Sequence, residues 1–146
     1  MAGRITLWGA GQLMSSYFGR QAVIPDTYYL AAIKTIPPSP YVSGAELDEP
    51  IGMGYQRVAI PNNGLYWTNT GQIQVALLNT DVTFTAATGD WGELRYWALC
   101  NAVREGYAFF IGTLETPVTI LNTDELEVGA GDLGVSVGPF FAAEDN

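Results

Sequence analysis

The sequence contains no histidine and a single cysteine, and it carries six basic residues against fifteen acidic ones. Without histidine there is no imidazole base for a Ser-His-Asp arrangement, and the commonest zinc ligand is missing. The lone thiol, Cys100, excludes an intramolecular disulfide; its place in the apolar run Tyr96 to Cys100 reads as a buried small hydrophobe rather than a nucleophile. A net charge of −9 opposes the phosphate neutralisation that nucleic-acid binding requires, so neither DNA nor RNA is an expected partner. No run of 18 apolar residues occurs, and Met1 to Arg20 lacks the compact apolar region and cleavage site of a signal peptide. The expectation is a soluble protein made in a reducing cytoplasm, away from any membrane.

What is present is apolar. Of 146 residues, 48% are hydrophobic and 14% charged, enough for one core and too hydrophobic for a disordered segment. From Thr27 onward, short runs rich in Val, Ile, Tyr, Phe, Trp and Thr are punctuated by Gly, Pro, Asn and Asp. That spacing predicts strands at Thr27 to Thr35, Tyr55 to Ile60, Tyr66 to Asn69, Ile73 to Asn79, Thr83 to Thr85, Leu94 to Asn101 and Tyr107 to Thr113. A closing group follows at Val118 to Leu121, Glu125 to Val128 and Leu133 to Val137. The fold class read from this is all-β, an antiparallel, jelly-roll-like β-sandwich over residues 25–146, with an N-terminal arm or short helix over residues 1–24. Ile73, Val75 and Leu77 alternate with Gln72, Gln74 and Ala76, as a half-buried strand requires. Leu94 to Leu99 is apolar on both faces, which makes it the central strand, with Trp97 and Leu99 the most buried.

The breakers have mechanisms. Pro37, Pro38 and Pro40 predict a stiff surface loop, and Ser43-Gly44-Ala45-Glu46 has the spacing of a capping box or of an ordinary polar loop. Asn62-Asn63-Gly64 reads as a hairpin turn.

The first 24 residues differ from the rest. They carry Arg4 and Arg20 and no acid, so the remainder holds −11. Leu13 with Tyr17, and Met14 with Phe18, lie four apart and form an apolar stripe if Gln12 to Phe18 is helical. Trp8, Leu13, Met14, Tyr17 and Phe18, with Arg4 and Arg20, are the candidate partner-binding residues, an apolar and slightly basic segment on an acidic body. The competing reading is a helix folded over its own sandwich.

No constellation of catalytic residues emerges, and the protein is read as a non-enzyme with no cofactor and no metal. Gly129-Ala130-Gly131-Asp132-Leu133-Gly134 matches G-x-G-x-x-G, but a strand and a breaker follow where a dinucleotide fold needs a helix. The acids Glu46, Asp48 and Glu49, and Asp124, Glu125 and Glu127, lack EF-hand spacing and read as solvated faces. Asp90-Trp91-Gly92-Glu93 is a strand-entry turn with Trp91 capping the core, or a platform for a sugar.

The order of short motifs carries a resemblance. Asp26-Thr27-Tyr28-Tyr29-Leu30-Ala31, Gly44-Ala45-Glu46-Leu47, Gly54-Tyr55-Gln56-Arg57-Val58, Trp67, Phe84 with Ala86-Ala87, Asp90-Trp91-Gly92, Trp97-Ala98-Leu99, Gly112-Thr113-Leu114 and Gly131-Asp132-Leu133 follow one another. The sequence thereby resembles small virion proteins of tailed bacteriophages, often labelled tail-fibre-like or minor structural proteins. It departs from that pattern at Asn122-Thr123-Asp124, where relatives carry a Gly-Asp turn. The resemblance implies a β-sandwich assembled on a virion in the bacterial host. The first expectation is a capsid decoration or cement protein bridging major capsid subunits, as a homotrimer. The alternative is a tail, neck or fibre component, with or without a receptor-binding face. A third reading is a carbohydrate-binding module using Trp67, Trp91 and nearby tyrosines.

Overall fold

The computed structural model describes residues 1–22, 24–37, 42–69 and 75–137. The elements are β1 (Ala2–Ile5), α1 (Leu7–Tyr17), β2 (Thr27–Ile33), β3 (Val58–Pro61), β4 (Trp67–Asn69), β5 (Val75–Leu78), β6 (Val82–Thr83), β7 (Gly92–Cys100), β8 (Ala108–Ile120), β9 (Glu127–Val128) and β10 (Gly134–Ser136), with a 3-10 turn at Gly44–Glu46. Eight strands form one sheet in the order β3-β2-β7-β8-β1-β10-β5-β4, and β6 pairs with β9 as a separate ribbon. The all-β class and the short N-terminal helix are as expected. The expected strand residues Ile73 and Gln74, with Gln72 beside them, and the breakers Pro38 and Pro40, lie outside the described residues.

The chain itself shows that the sheet curls. The edge strands β3 and β4 are separated by only the residues between Pro61 and Trp67, a connection that reaches roughly 20 Å at full extension. The two edges therefore come round towards each other, and one core cluster collects Leu30 and Ile60 from one end of the sheet with Leu78, Leu133 and Val135 from the other. Val82, Leu126 and Val128 from the ribbon and its approach complete this cluster. The turn at Asn62-Asn63-Gly64 is consequently not a hairpin. Asn63 accepts the Leu65 amide on its side chain at 2.9 Å and the Trp67 amide on its carbonyl at 3.0 Å. The Asx turn satisfies the first donor and a backbone turn the second, without pairing the flanking strands.

The first strand overturns one boundary drawn from sequence. Residues 2–5 are not part of an arm. β1 lies inside the sheet, antiparallel to β8 (Gly3 opposite Gly112) and parallel to β10 (Gly3 opposite Val135). The sequence signal was weak because Ala-Gly-Arg-Ile has neither β-branched enrichment nor clean alternation.

A row of residues explains why glycine occupies this strand. Ala32, Trp97, Gly112, Gly3, Val135 and Ala76 stand opposite one another across six adjacent strands. The Trp97 indole lies across the two glycines: a Cβ on Gly112 would stand 2.5 Å from Cζ2, and one on Gly3 would overlap Cη2. Trp97 is buried with Leu99 on β7, as the uninterrupted apolar run predicted.

β8 is one strand where two were expected. Leu94 pairs with Val118 but Tyr96 with Thr113, so residues 114–117 bulge opposite Arg95. Pro117 sits in this irregular stretch, where its missing amide removes no regular ladder bond. A smaller cluster, Ala31, Ile33, Val42, Leu47, Ala98, Cys100 and Ala108, packs the opposite face of β2 and β7.

Candidate docking face and cavity

α1 is rooted by one side chain. Thr6, 4% exposed, accepts the Gly9 amide at 3.0 Å as the helix N-cap and donates its hydroxyl to the Ala108 carbonyl at 2.6 Å. The Thr6 amide also donates to the Phe109 carbonyl at 2.9 Å, so the helix springs directly from the end of the β1–β8 pairing. Trp8 stacks on Tyr107 with ring centroids 3.9 Å apart, and Leu13 is half-buried. Met14, Tyr17 and Phe18 lie three and four residues apart, on one face, and are 55%, 75% and 74% exposed. Arg20 is exposed beyond the helix end, and its amide donates to the Ser15 carbonyl at 2.9 Å.

The structure thus divides the expected docking residues. Trp8 turns towards the body against Tyr107, Leu13 is half-buried, Met14, Tyr17 and Phe18 turn to solvent with Arg20 nearby, and Arg4 is an exposed residue of β1. The second reading of this segment, a helix packed on its own β-structure, holds for the first turn of α1.

A cavity of about 310 Å³ opens where the β8 bulge departs from the sheet. Its walls include Leu30, Phe84, Trp97, Leu114, Leu126 and Leu133. Glu115, Glu127 and Asp132 also line it, and all three are exposed. The Met1 ammonium lies 3.2 Å from Glu115 Oε1 and donates to the Asp132 carbonyl. Sequence reasoning missed this cavity because it arises from a slip in strand register, and Glu127 was read only as a solvated acid.

A third assembly is structural. Arg57 is 4% exposed; its Nε donates to Glu49 Oε1 at 2.7 Å, its Nη1 to the carbonyls of Ala102 and Glu105 at 2.8 and 2.9 Å, and its Nη2 to that of Gly44 at 3.2 Å. Glu49 is therefore a half-buried ion-pair partner and not part of a solvated acidic face. The available signal was that Arg57 is one of only six basic residues and is followed directly by an apolar strand.

Burial pushes the nearby Cys100 thiol from 9.0 up to about 12, with Glu49 adding to the rise and Arg57 opposing it. A raised folded value means that the unfolded chain ionises first. The contribution to stability is complete below pH 9.0 and is lost as pH climbs towards about 12. Burial likewise raises the Tyr55 and Tyr28 phenols, in the same direction. Urea midpoints should therefore fall across this alkaline window, and Cys100→Ala should flatten part of the fall; an unchanged slope would contradict the assignment.

Other sequence candidates resolve plainly. Trp91 is 1% exposed and its indole N–H donates to the Met53 carbonyl at 2.8 Å, so it caps the core and offers no face to a sugar. Trp67 is half-buried, edge-on to Tyr28. The glycines at 129 and 131 form a turn between β9 and β10, closed by the Asp132 amide on the Gly129 carbonyl at 3.0 Å. Thr123 adopts φ 76°, the left-handed region that favours glycine. Among the described residues no group of three His, Cys, Asp or Glu side chains is placed to hold a metal ion. Among the same residues, no helix is long and apolar enough to cross a membrane.

These features define an all-β protein built on a curled sheet, with one short helix presenting aromatic side chains to solvent. Over residues 5–136 the chain matches the family model described as Podophage GP4 fiber I protein gp80, and it belongs to that family. It is accordingly a structural component of a bacteriophage virion. A comparison with curated proteins finds no match.

Proposed function

We propose that the protein is a component of the phage tail fibre or of its attachment to the tail, and that it joins neighbouring virion proteins through the outer face of α1. The family description supports the fibre reading over capsid decoration. The observation that carries the docking role is the exposure of Met14, Tyr17 and Phe18 on one face of a helix anchored by Thr6. Large aromatic side chains rarely stand together in water unless a partner covers them, and such residues supply the anchors of protein interfaces. The partners in this reading are other virion proteins, and no catalytic chemistry is required of the chain.

The test is incorporation. Tyr17→Ser/Phe18→Ser should remain folded, because exposed positions change stability by only about 0.5 kcal/mol. Supplied to an infection with phage lacking the gene, it should be absent from purified particles. Incorporation at the normal level would reject α1 as the docking element.

A further inference from the structure

We propose that the cavity beneath the β8 bulge receives the C-terminal end of α1 from a second copy of this chain, so that copies join head to tail. This rests on the reading of α1 as the docking element and names its receptor.

The two surfaces are complementary in kind. The donor is apolar and cationic: Tyr17 and Phe18 are the most exposed aromatic side chains among the described residues, Arg20 follows, and no acid occurs before Asp26. The receiver is apolar and anionic: its walls are Phe84, Trp97, Leu114 and Leu126, with Glu115, Glu127 and Asp132 exposed at its margin. An aromatic anchor in an apolar recess ringed by charge of the opposite sign is the arrangement found at the energetic centre of protein interfaces. Among the described residues the only basic group lining the receiver is the Met1 ammonium, which pairs with Glu115 and donates to the Asp132 backbone carbonyl, leaving the Glu127 and Asp132 carboxylates for an incoming cation.

Their placement sets the symmetry. β1 begins at the cavity, with Met1 in its wall, and ends at Ile5, from which Thr6 leads into α1. Donor and receiver are therefore joined through the two ends of one strand in the middle of the sheet, and they are different surfaces. Contacts between unlike surfaces are heterologous: they close into a ring, of which the trimer expected from the sequence is one case, or run on as a filament.

The experiment uses the full chain and sedimentation velocity over a range of concentrations. The wild type should associate as concentration rises. The donor variant Tyr17→Ser/Phe18→Ser and the receiver variant Thr116→Trp/Glu127→Lys should each weaken association at least about tenfold. All four positions are exposed, so folding is retained; near-ultraviolet circular dichroism checks this, and Glu127→Lys alone serves if the double receiver variant fails. An equimolar mixture of the two variants should give one-to-one dimers that grow no further, because each copy keeps one working half. A monomeric wild type, a receiver variant that associates normally, or a mixture that stays monomeric would each overturn the proposal. If the wild type is monomeric while the donor variant still fails to enter particles, α1 docks on a different virion protein and only the present inference falls.

Discussion

Gly112→Ala is expected to destabilise the protein by about 3 kcal/mol, far more than a single methyl group ordinarily costs. The added Cβ would stand 2.5 Å from Trp97 Cζ2 and 2.7 Å from the Ala2 carbonyl oxygen. The indole cannot retreat, because Trp97 is 2% exposed in a strand paired on both sides. In a Trp97→Leu background the same change should cost much less, and this coupling distinguishes steric conflict from a general intolerance at the site. Thermal or urea unfolding of the four proteins measures it; additive costs would remove Trp97 as the reason for the glycines. The consequence reaches the docking element, since Gly112 faces Gly3 and β1 is the strand from which α1 is launched.

Arg57→Leu should cost about 3–5 kcal/mol by leaving the half-buried Glu49 without its cation. It would also free the carbonyls of Gly44, Ala102 and Glu105, which belong to two loops far apart in sequence. Arg57→Lys should recover little, because one ammonium cannot reproduce a planar fork that meets four acceptors. Urea unfolding gives the cost, and a loss under about 1 kcal/mol would show these bonds to be replaceable by water.

The β character of the chain was legible because hydrophobic residues cluster in short runs between breakers, and local composition suffices for that. β7 was the clearest case, since only a strand covered on both faces can be apolar at Leu94, Trp97, Ala98 and Leu99 alike. What could not be read was pairing. β1 is a strand only because Gly3 fits beneath an indole contributed from residue 97, a fact invisible in Ala-Gly-Arg-Ile. The hairpin expected at Asn62 failed for the same reason: the turn residues are right, but the flanking strands find partners elsewhere. Leu13, Met14, Tyr17 and Phe18 were legible as a stripe at helical spacing, of which Leu13 is half-buried, whereas Trp8 was placed with them although it stacks on Tyr107. The cavity depended on the residues of β8 that slip past Arg95, and no local pattern announces a register shift.

The place of the protein on the particle is the most direct test of the fibre assignment. Purified virions carrying a small epitope after residue 64, in the exposed turn between β3 and β4, can be labelled with an antibody and imaged by cryo-electron microscopy. Label confined to the tail and its fibres is the result predicted here; label spread over the facets of the head would contradict it.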